Sequence, residues 1–250
     1  MPSQVTNPLE RRAEKIARYF ASLPDVEGVC LFGSIARGET DRWSDIDLLV
    51  VGQDPDLSPT KLRRALPDDM QRERLSLLYY PRPELEELFE SGASFIDHLR
   101  HEGKILYDES GVLRRVFRDD FDANPNIGAE LAAERARLDV YGDLGMFRGN
   151  FLFVLAQLYA IGKSVIILGL IAESSREYDR DAAFQSFKRL HPERASDVDV
   201  VSRLRPFYRI VTRRGREPLP FSYRGSEREV TAAIESIRRL VKAIEGIASQ

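Results

Sequence analysis

The chain of 250 residues has little of several things that would narrow its chemistry quickly: one cysteine, three histidines and one tryptophan. A single thiol, Cys30, cannot form an internal disulfide or a cysteine-based zinc site. The histidines, His98, His101 and His191, are too few and too scattered for a histidine-rich metal centre. Neither sign of charge prevails. Lys and Arg total 37 against 40 for Asp and Glu, a net charge of −3, which removes any whole-chain electrostatic case for binding duplex DNA. Internal repeats and low-complexity tracts are absent. The opening MPSQVTNPLERR lacks an apolar signal core, so the expected location is cytoplasmic.

Long apolar runs are scarce too, with one exception. Residues 151–171 (FLFVLAQLYAIGKSVIILGLI) match the length of a bilayer span. Gln157, Lys163 and Ser164 interrupt the run, and Lys163 lies past its centre, where a cation in lipid is costly. The expected reading is a buried core helix, with no membrane partner. Hydrophobic residues make up 43% of the chain and charged ones 31%, enough apolar material for one large or two small cores.

What is present centres on residues 31–51, LFGSIARGETDRWSDIDLLVV. An apolar strand-like run ends in Gly33–Ser34. Eleven residues after Gly33, Ser44–Asp45–Ile46–Asp47 opens a second strand-like run. Residues i and i+2 of a strand share a face, so Asp45 and Asp47 project together. Adjacent carboxylates repel unless a cation lies between them, and hard oxygen donors suit Mg²⁺. Ser34 and the amides after Gly33, opening a short helix, offer donors to phosphate.

Around that stretch the elements alternate. Pro8–Phe20 has helical spacing (Leu9, Ala13, Ile16, Ala17, Phe20), with Asn7 or Thr6 as cap. Strands are expected at residues 26–32, 45–51 and 75–80, with KILYD (104–108) as an edge strand; helices are expected at 60–66, 82–89 and 93–102. From Ser110 onward no strand run appears. Helices are expected at 112–121, 127–147, 150–171, 180–190, 197–212 (kinked at Pro206) and 226–247. The fold class is therefore α+β: a mixed sheet with flanking helices, then an all-α helical bundle. The expected domains are 1–109 and 110–250, with 122–126 as the linker.

Gly33–Ser34 followed at this spacing by Asp45–Ile46–Asp47 resembles the polymerase-beta-like nucleotidyltransferase superfamily. The likeness is greatest to its small antitoxin-type domains and, more distantly, to the aminoglycoside nucleotidyltransferases. It rests directly on some 20 residues, GSIARGETDRWSDIDLLV. It implies an enzyme moving a nucleoside monophosphate, most often AMP from ATP, onto a hydroxyl of a protein or small molecule. It implies that Gly33, Ser34, Arg37 and Ser44 contact the nucleotide phosphates, with Arg42 within reach from the loop. Asp45 and Asp47 are implied as the catalytic pair, holding Mg²⁺ in a two-metal site. A homodimer through the helical domain is the expected assembly. Relatives with a helical ribonuclease partner carry an Arg-(four to six residues)-His motif, which His98, His101 and His191 lack here.

The sequence departs from the family pattern at one point. Active members carry a third carboxylate on a later strand, and Ser76 stands there. Glu73 and Asp97 are the nearest acids, and the alternative to catalysis is a nucleotide-binding or regulatory module of the same fold. Other readings are structural: Arg37 as an ion-pair partner of Glu39 or Asp41, His98 and His101 as surface or packing residues, Tyr79–Tyr80 as sheet packing. The arginines at 203, 205, 209, 213, 214 and 216 form a basic stripe, read as a solvated helix end or as a lure for an anion.

Overall fold

Alternation of apolar runs with short amphipathic helices up to residue 108, and helices alone thereafter, is the arrangement seen in the computed structural model. It describes residues 7–40, 44–71, 74–118, 125–212 and 225–248. Arg42, Glu73, Arg213, Arg214, Arg216 and residues 122–124 of the expected linker lie outside them. Contacts divide the chain into two units, 1–125 and 126–250.

In the first unit the order is α1 (Pro8–Phe20), β1 (Val26–Phe32), α2 (Gly33–Arg37), β2 (Ile46–Gly52), α3 (Pro59–Ala65), α4 (Asp68–Gln71), β3 (Leu75–Pro81), α5 (Arg82–Glu90), α6 (Ser94–Glu102), β4 (Lys104–Asp108) and α7 (Val112–Val116). The Asn7 side chain caps α1 through the Leu9 amide, with Pro8 in the first turn, where its missing N–H costs nothing. The sheet runs β3-β2-β1-β4, with β2–β3 parallel and the other pairs antiparallel. β2 is paired on both edges and apolar on both faces, as its sequence IDLLVVG requires. Leu48, Val50, Leu31 and Val29 pack on one face with Ile16, Phe20 and Leu62 of α1 and α3. Leu49, Val51 and Cys30 pack on the other with Leu85, Phe89, Ile96, Leu99 and Leu113 of α5, α6 and α7. Burial pushes the Cys30 thiol up to about 12, so it is an inert apolar filler.

The helix expected at 112–121 is shorter, Val112–Val116, and it packs on β1 in the first unit. The contact boundary accordingly falls after Pro125, sixteen residues beyond the expected 109.

The second unit holds α8 (Ile127–Asp139), a 3₁₀ turn (Leu144–Phe147), α9 (Phe151–Ala172), α10 (Arg180–Leu190), α11 (Ala195–Arg203), α12 (Arg205–Thr212) and α13 (Glu227–Ala248). The single helix expected over 127–147 is broken, because the Asp143 side chain caps Gly145 and starts a new turn. The helix expected over 197–212 splits at Leu204, one residue from the start of Pro206's constraint on the preceding backbone. The apolar run at 151–171 is the unit's central helix: Val154, Leu158, Ile161, Val165 and Leu168 are buried, surrounded by residues of α8, α10, α11, α12 and α13. By length and composition it is also the one helix among the described residues able to cross a bilayer. Its contacts place it in a protein core. Asp197, buried on α11, takes two hydrogen bonds from Arg239 of α13, at 2.9 and 2.8 Å.

Close packing onto α9 depends on two glycines. A Cβ at Gly162 would stand 2.7 Å from Val201, and one at Gly169 2.5 Å from Phe187. Gly169→Ala is expected to destabilise the protein by about 1–3 kcal/mol through overpacking. Urea unfolding followed by far-ultraviolet circular dichroism checks this; an unchanged midpoint refutes it.

Candidate active site

The sheet end carrying the C-terminus of β1 and the N-terminus of β2 gathers the sequence-predicted residues. Gly33 leaves β1 at φ +74°, a left-handed conformation that side chains other than glycine's rarely adopt. Space makes the same demand: a Cβ there would fall well inside contact distance of Asp47 Oδ2. The turn is thus folded directly against the carboxylate. Ser34 follows on α2, half-buried, and Gly38 closes the helix at φ +80°, with the Glu39 amide returning to the Ser34 carbonyl at 2.9 Å.

β2 begins at Ile46, one residue later than expected, so Asp45 precedes the strand and Asp47 lies within it. Both are half-buried, as is Ser44. Asp47 is paired with Phe32 on β1 and with Ser76 on β3. The position where a third carboxylate was sought is therefore directly beside Asp47, and its side chain is an exposed serine's. Alternation puts Asp47, Phe32 and Ser76 on one face, the face that α5 and α6 cover further along. Asp97 is buried on α6, with His101 4.0 Å away. No group of three or more His, Cys, Asp or Glu placed to hold a metal ion occurs among the described residues. Two carboxylates alone still fit Mg²⁺, which keeps several waters and takes substrate phosphate oxygens beside one or two protein carboxylates.

One residue that holds the turn in place escaped the sequence reading. Glu102, at the last turn of α6, is buried, with 4% of its side chain exposed. Its Oε1 accepts the Gly33 N–H at 2.8 Å, its Oε2 accepts from Arg37, and His98 Nε2 meets Oε1. Arg37 also donates through Nε to Glu39, at 2.8 Å. The Arg37 guanidinium and the Gly33 amide, both expected at phosphate, are thus committed to carboxylates. His98 packs edge-on against Phe32 and Phe95, so its place is in this network and not beside His101 in a metal pair. Glu102 did carry a signal. An acid in the last turn of a helix opposes the macrodipole by about 0.3–1 kcal/mol, so it needs a cationic partner elsewhere. Charge-assisted hydrogen bonds of about 1.5–3 kcal/mol each outweigh that cost.

Tyr79 and Tyr80 take packing positions on opposite faces. The Tyr79 hydroxyl donates to the Asp54 carbonyl at 2.6 Å, and Tyr80 packs against Phe95. Burial, then the nearby charge of Asp54, pushes the Tyr79 hydroxyl up to about 12.

Burial alone would raise the Glu102 carboxyl, but hydrogen bonds and positive charge from His98 and Arg37 outweigh it, and the net shift is downward. The folded state therefore binds this proton less readily than the unfolded chain. Its stabilising contribution is complete above the ordinary glutamate value of about 4.3 and drains away as pH falls through the lower folded value. Glu102→Gln is expected to cost about 2 kcal/mol at pH 7. The gap from the parent should narrow as pH falls through about 4. Urea titrations across that range check this, and a gap independent of pH refutes it.

Comparison with known proteins follows the geometry. Residues 13–100 match the family model of the nucleotidyltransferase domain. None of the curated proteins matches the chain. Among solved structures, spectinomycin adenyltransferase AAD(9) from Enterococcus faecialis, crystallised with ATP and spectinomycin, is 16% identical. The match covers 93% of this chain and 97% of that one, with a TM-score of 0.53. A nucleotidyltransferase-like protein from Exiguobacterium sibiricum 255-15 is 14% identical over 96% of this chain and 77% of its own, with a TM-score of 0.37. A toxin–antitoxin structure with AMP-PNP is 18% identical over 54% of this chain and 96% of its own, with a TM-score of 0.31. At these identities the first likeness speaks for the fold, and the other two add nothing to it. The family match and the shared fold meet on the same segment: residues 13–100 match the nucleotidyltransferase domain, within a fold shared with an adenyltransferase.

Proposed function

We propose that the chain transfers a nucleoside monophosphate, AMP from ATP, onto a hydroxyl of a small molecule or protein, with Mg²⁺ held by Asp45 and Asp47. One observation carries the reading: the Gly33 turn is folded against the Asp47 carboxylate, so a polyphosphate on the turn lies beside the ion-holding acid. Hard carboxylate oxygens with room for phosphate ligands suit Mg²⁺, which when bound neutralises charge on the attacking and leaving oxygens. The chain's own residues bind and orient. With the Gly33 N–H given to Glu102, the phosphate donors of the turn are the Ser34 hydroxyl and the N–H groups that open α2, which have no partner within the helix. Ser44 stands just ahead of Asp45 and completes the polar rim. Arg37 and Glu102 act from behind, fixing the turn. In the reaction the acceptor oxygen forms a bond to the α-phosphorus, and the bond to pyrophosphate breaks. A spectinomycin adenyltransferase of the same fold supports a small hydroxylated acceptor.

Ser76 favours a second reading. A serine is no base at neutral pH, and it holds the place beside Asp47 where the family's third acid is expected. In that reading the domain binds nucleotide and regulates.

Labelled ATP with Mg²⁺ and a panel of aminocyclitol, aminoglycoside and protein acceptors separates the two. Transfer is expected, falling roughly 100-fold or more in Asp45→Ala and Asp47→Ala. Nucleotide binding by calorimetry with no labelled product over the panel supports the regulatory reading; absence of both refutes the two together.

A further inference from the structure

The helical unit carries a polar cluster that the transferase site does not use. Tyr159 of α9 is 1% exposed, and its hydroxyl is buried with no hydrogen-bond partner. Its ring lies 5.1 Å from that of Tyr208 on α12 and 6.3 Å from that of Phe184 on α10. Arg180, at the start of α10, and Arg205, at the start of α12, are close enough for their charges to act on this hydroxyl, as is Asp181. The Nε atoms of both arginines are likewise buried without a partner. Arg205 spends its Nη1 on Asp181, at 2.8 and 3.2 Å. Arg209 stands one turn after Arg205 on the same face of α12. Phe184, Asp181 and Arg205 also line a groove of about 320 Å³ between α10 and α11.

Buried donors without partners are costly, at about 1–3 kcal/mol each, and three of them in one cluster point to something that accepts from all of them. Each unpartnered group can donate, and the two arginines outweigh the one carboxylate, Asp181, in the cluster. An oxyanion therefore satisfies them where a cation or a neutral apolar ligand does not. A carboxylate has two oxygens, whereas a phosphate group presents three acceptor oxygens and close to two negative charges at neutral pH. Arginine forks suit that shape. We propose that Tyr159, Arg180 and Arg205 form a binding site for a phosphate group within the helical unit. The site stands on the second unit's own residues and does not depend on the transferase reading. The basic stripe seen in the sequence thus has a specific member pair, Arg205 and Arg209, on this face, while Arg203 is exposed.

The test is titration of the full chain with inorganic phosphate by calorimetry and ³¹P relaxation. It is done on the parent, Tyr159→Phe, the double variant Arg180→Gln/Arg205→Gln, and Asp47→Asn as a control for the first unit. Saturable binding is expected in the parent and in Asp47→Asn. Weakening of roughly tenfold is expected in Tyr159→Phe, with near loss in the double variant. Tyr159→Phe removes only an unpartnered hydroxyl, so its thermal midpoint without phosphate should equal or exceed the parent's. That keeps the test readable if the double variant fails to fold. Competition by ATP in Asp47→Asn would assign the phosphate to a nucleotide, and persistence of binding would assign it to a separate phosphorylated ligand. No saturable binding to the parent, equal affinity in Tyr159→Phe, or loss of binding in Asp47→Asn alone overturns the proposal.

Discussion

The first unit depends on one constraint: a backbone turn must lie against a carboxylate with no side chain between them. Gly33 meets it twice over, by its left-handed φ of +74° and by the lack of a Cβ where Asp47 Oδ2 stands. The rest of the sheet end follows from keeping that approach fixed. β1 and β2 must be antiparallel neighbours in a register that brings Phe32 opposite Asp47, and the short helix α2 must start at once. A close turn of this kind is entropically expensive, since glycine gives up more freedom than any other residue on folding. It needs an anchor outside itself.

Glu102 is that anchor, and its chemistry explains why the anchor is ionic. It reaches the turn from the end of α6 and takes the Gly33 N–H, leaving no orphaned donor at a half-buried position. A buried carboxylate is costly alone, by several kcal/mol, and is tolerated when paired and hydrogen-bonded on all sides. Arg37 and His98 supply that pairing from α2 and from one turn earlier on α6. The three groups therefore tie the turn, the helix after it and the helix before β4 into one body. Cross-links of this kind hold a site to the tolerance that positioning for phosphoryl chemistry demands.

The legible parts of the sequence were those with local causes. Alternating carboxylates at Asp45 and Asp47, apolar runs bounded by glycine or proline, and the cap at Asn7 are each set by residues within one or two turns. The sheet neighbours β1 and β2 followed from the short connection between them. The family pattern puts the third-acid position at Ser76, and the parallel ladder of β2 and β3 sets Ser76 beside Asp47. What escaped reading depends on contacts far apart in the chain. Glu102 is 69 residues from Gly33, and nothing near either residue names the other. Val112–Val116 looked like the first of a run of helices because periodicity carries no address. Its docking on β1 is decided by where Leu113 finds a covered apolar face. The break at Gly142 and Asp143 competed with a good helical pattern and won through a side-chain cap.

The same network bears on the missing third acid. Glu102 is the carboxylate held at the Gly33 turn, and it is natural to ask whether it stands in for the acid that Ser76 lacks. Its bonds argue against this. One oxygen is taken by the Gly33 amide and His98, the other by Arg37, and the resulting downward pKa shift makes it a weaker base than an ordinary glutamate. A general base works best with a pKa raised toward neutral, so the environment has tuned Glu102 in the wrong direction for proton abstraction. Pulling it free would expose Arg37 and the turn amide together, at the cost of breaking a buried pair, about 3–5 kcal/mol. The roles then divide by physics: Glu102 is spent on the backbone of the Gly33 turn, which leaves Asp45 and Asp47 as the acids of the proposed phosphate and metal site. An acid able to accept the acceptor's proton has to come from the acceptor itself or from another part of the chain.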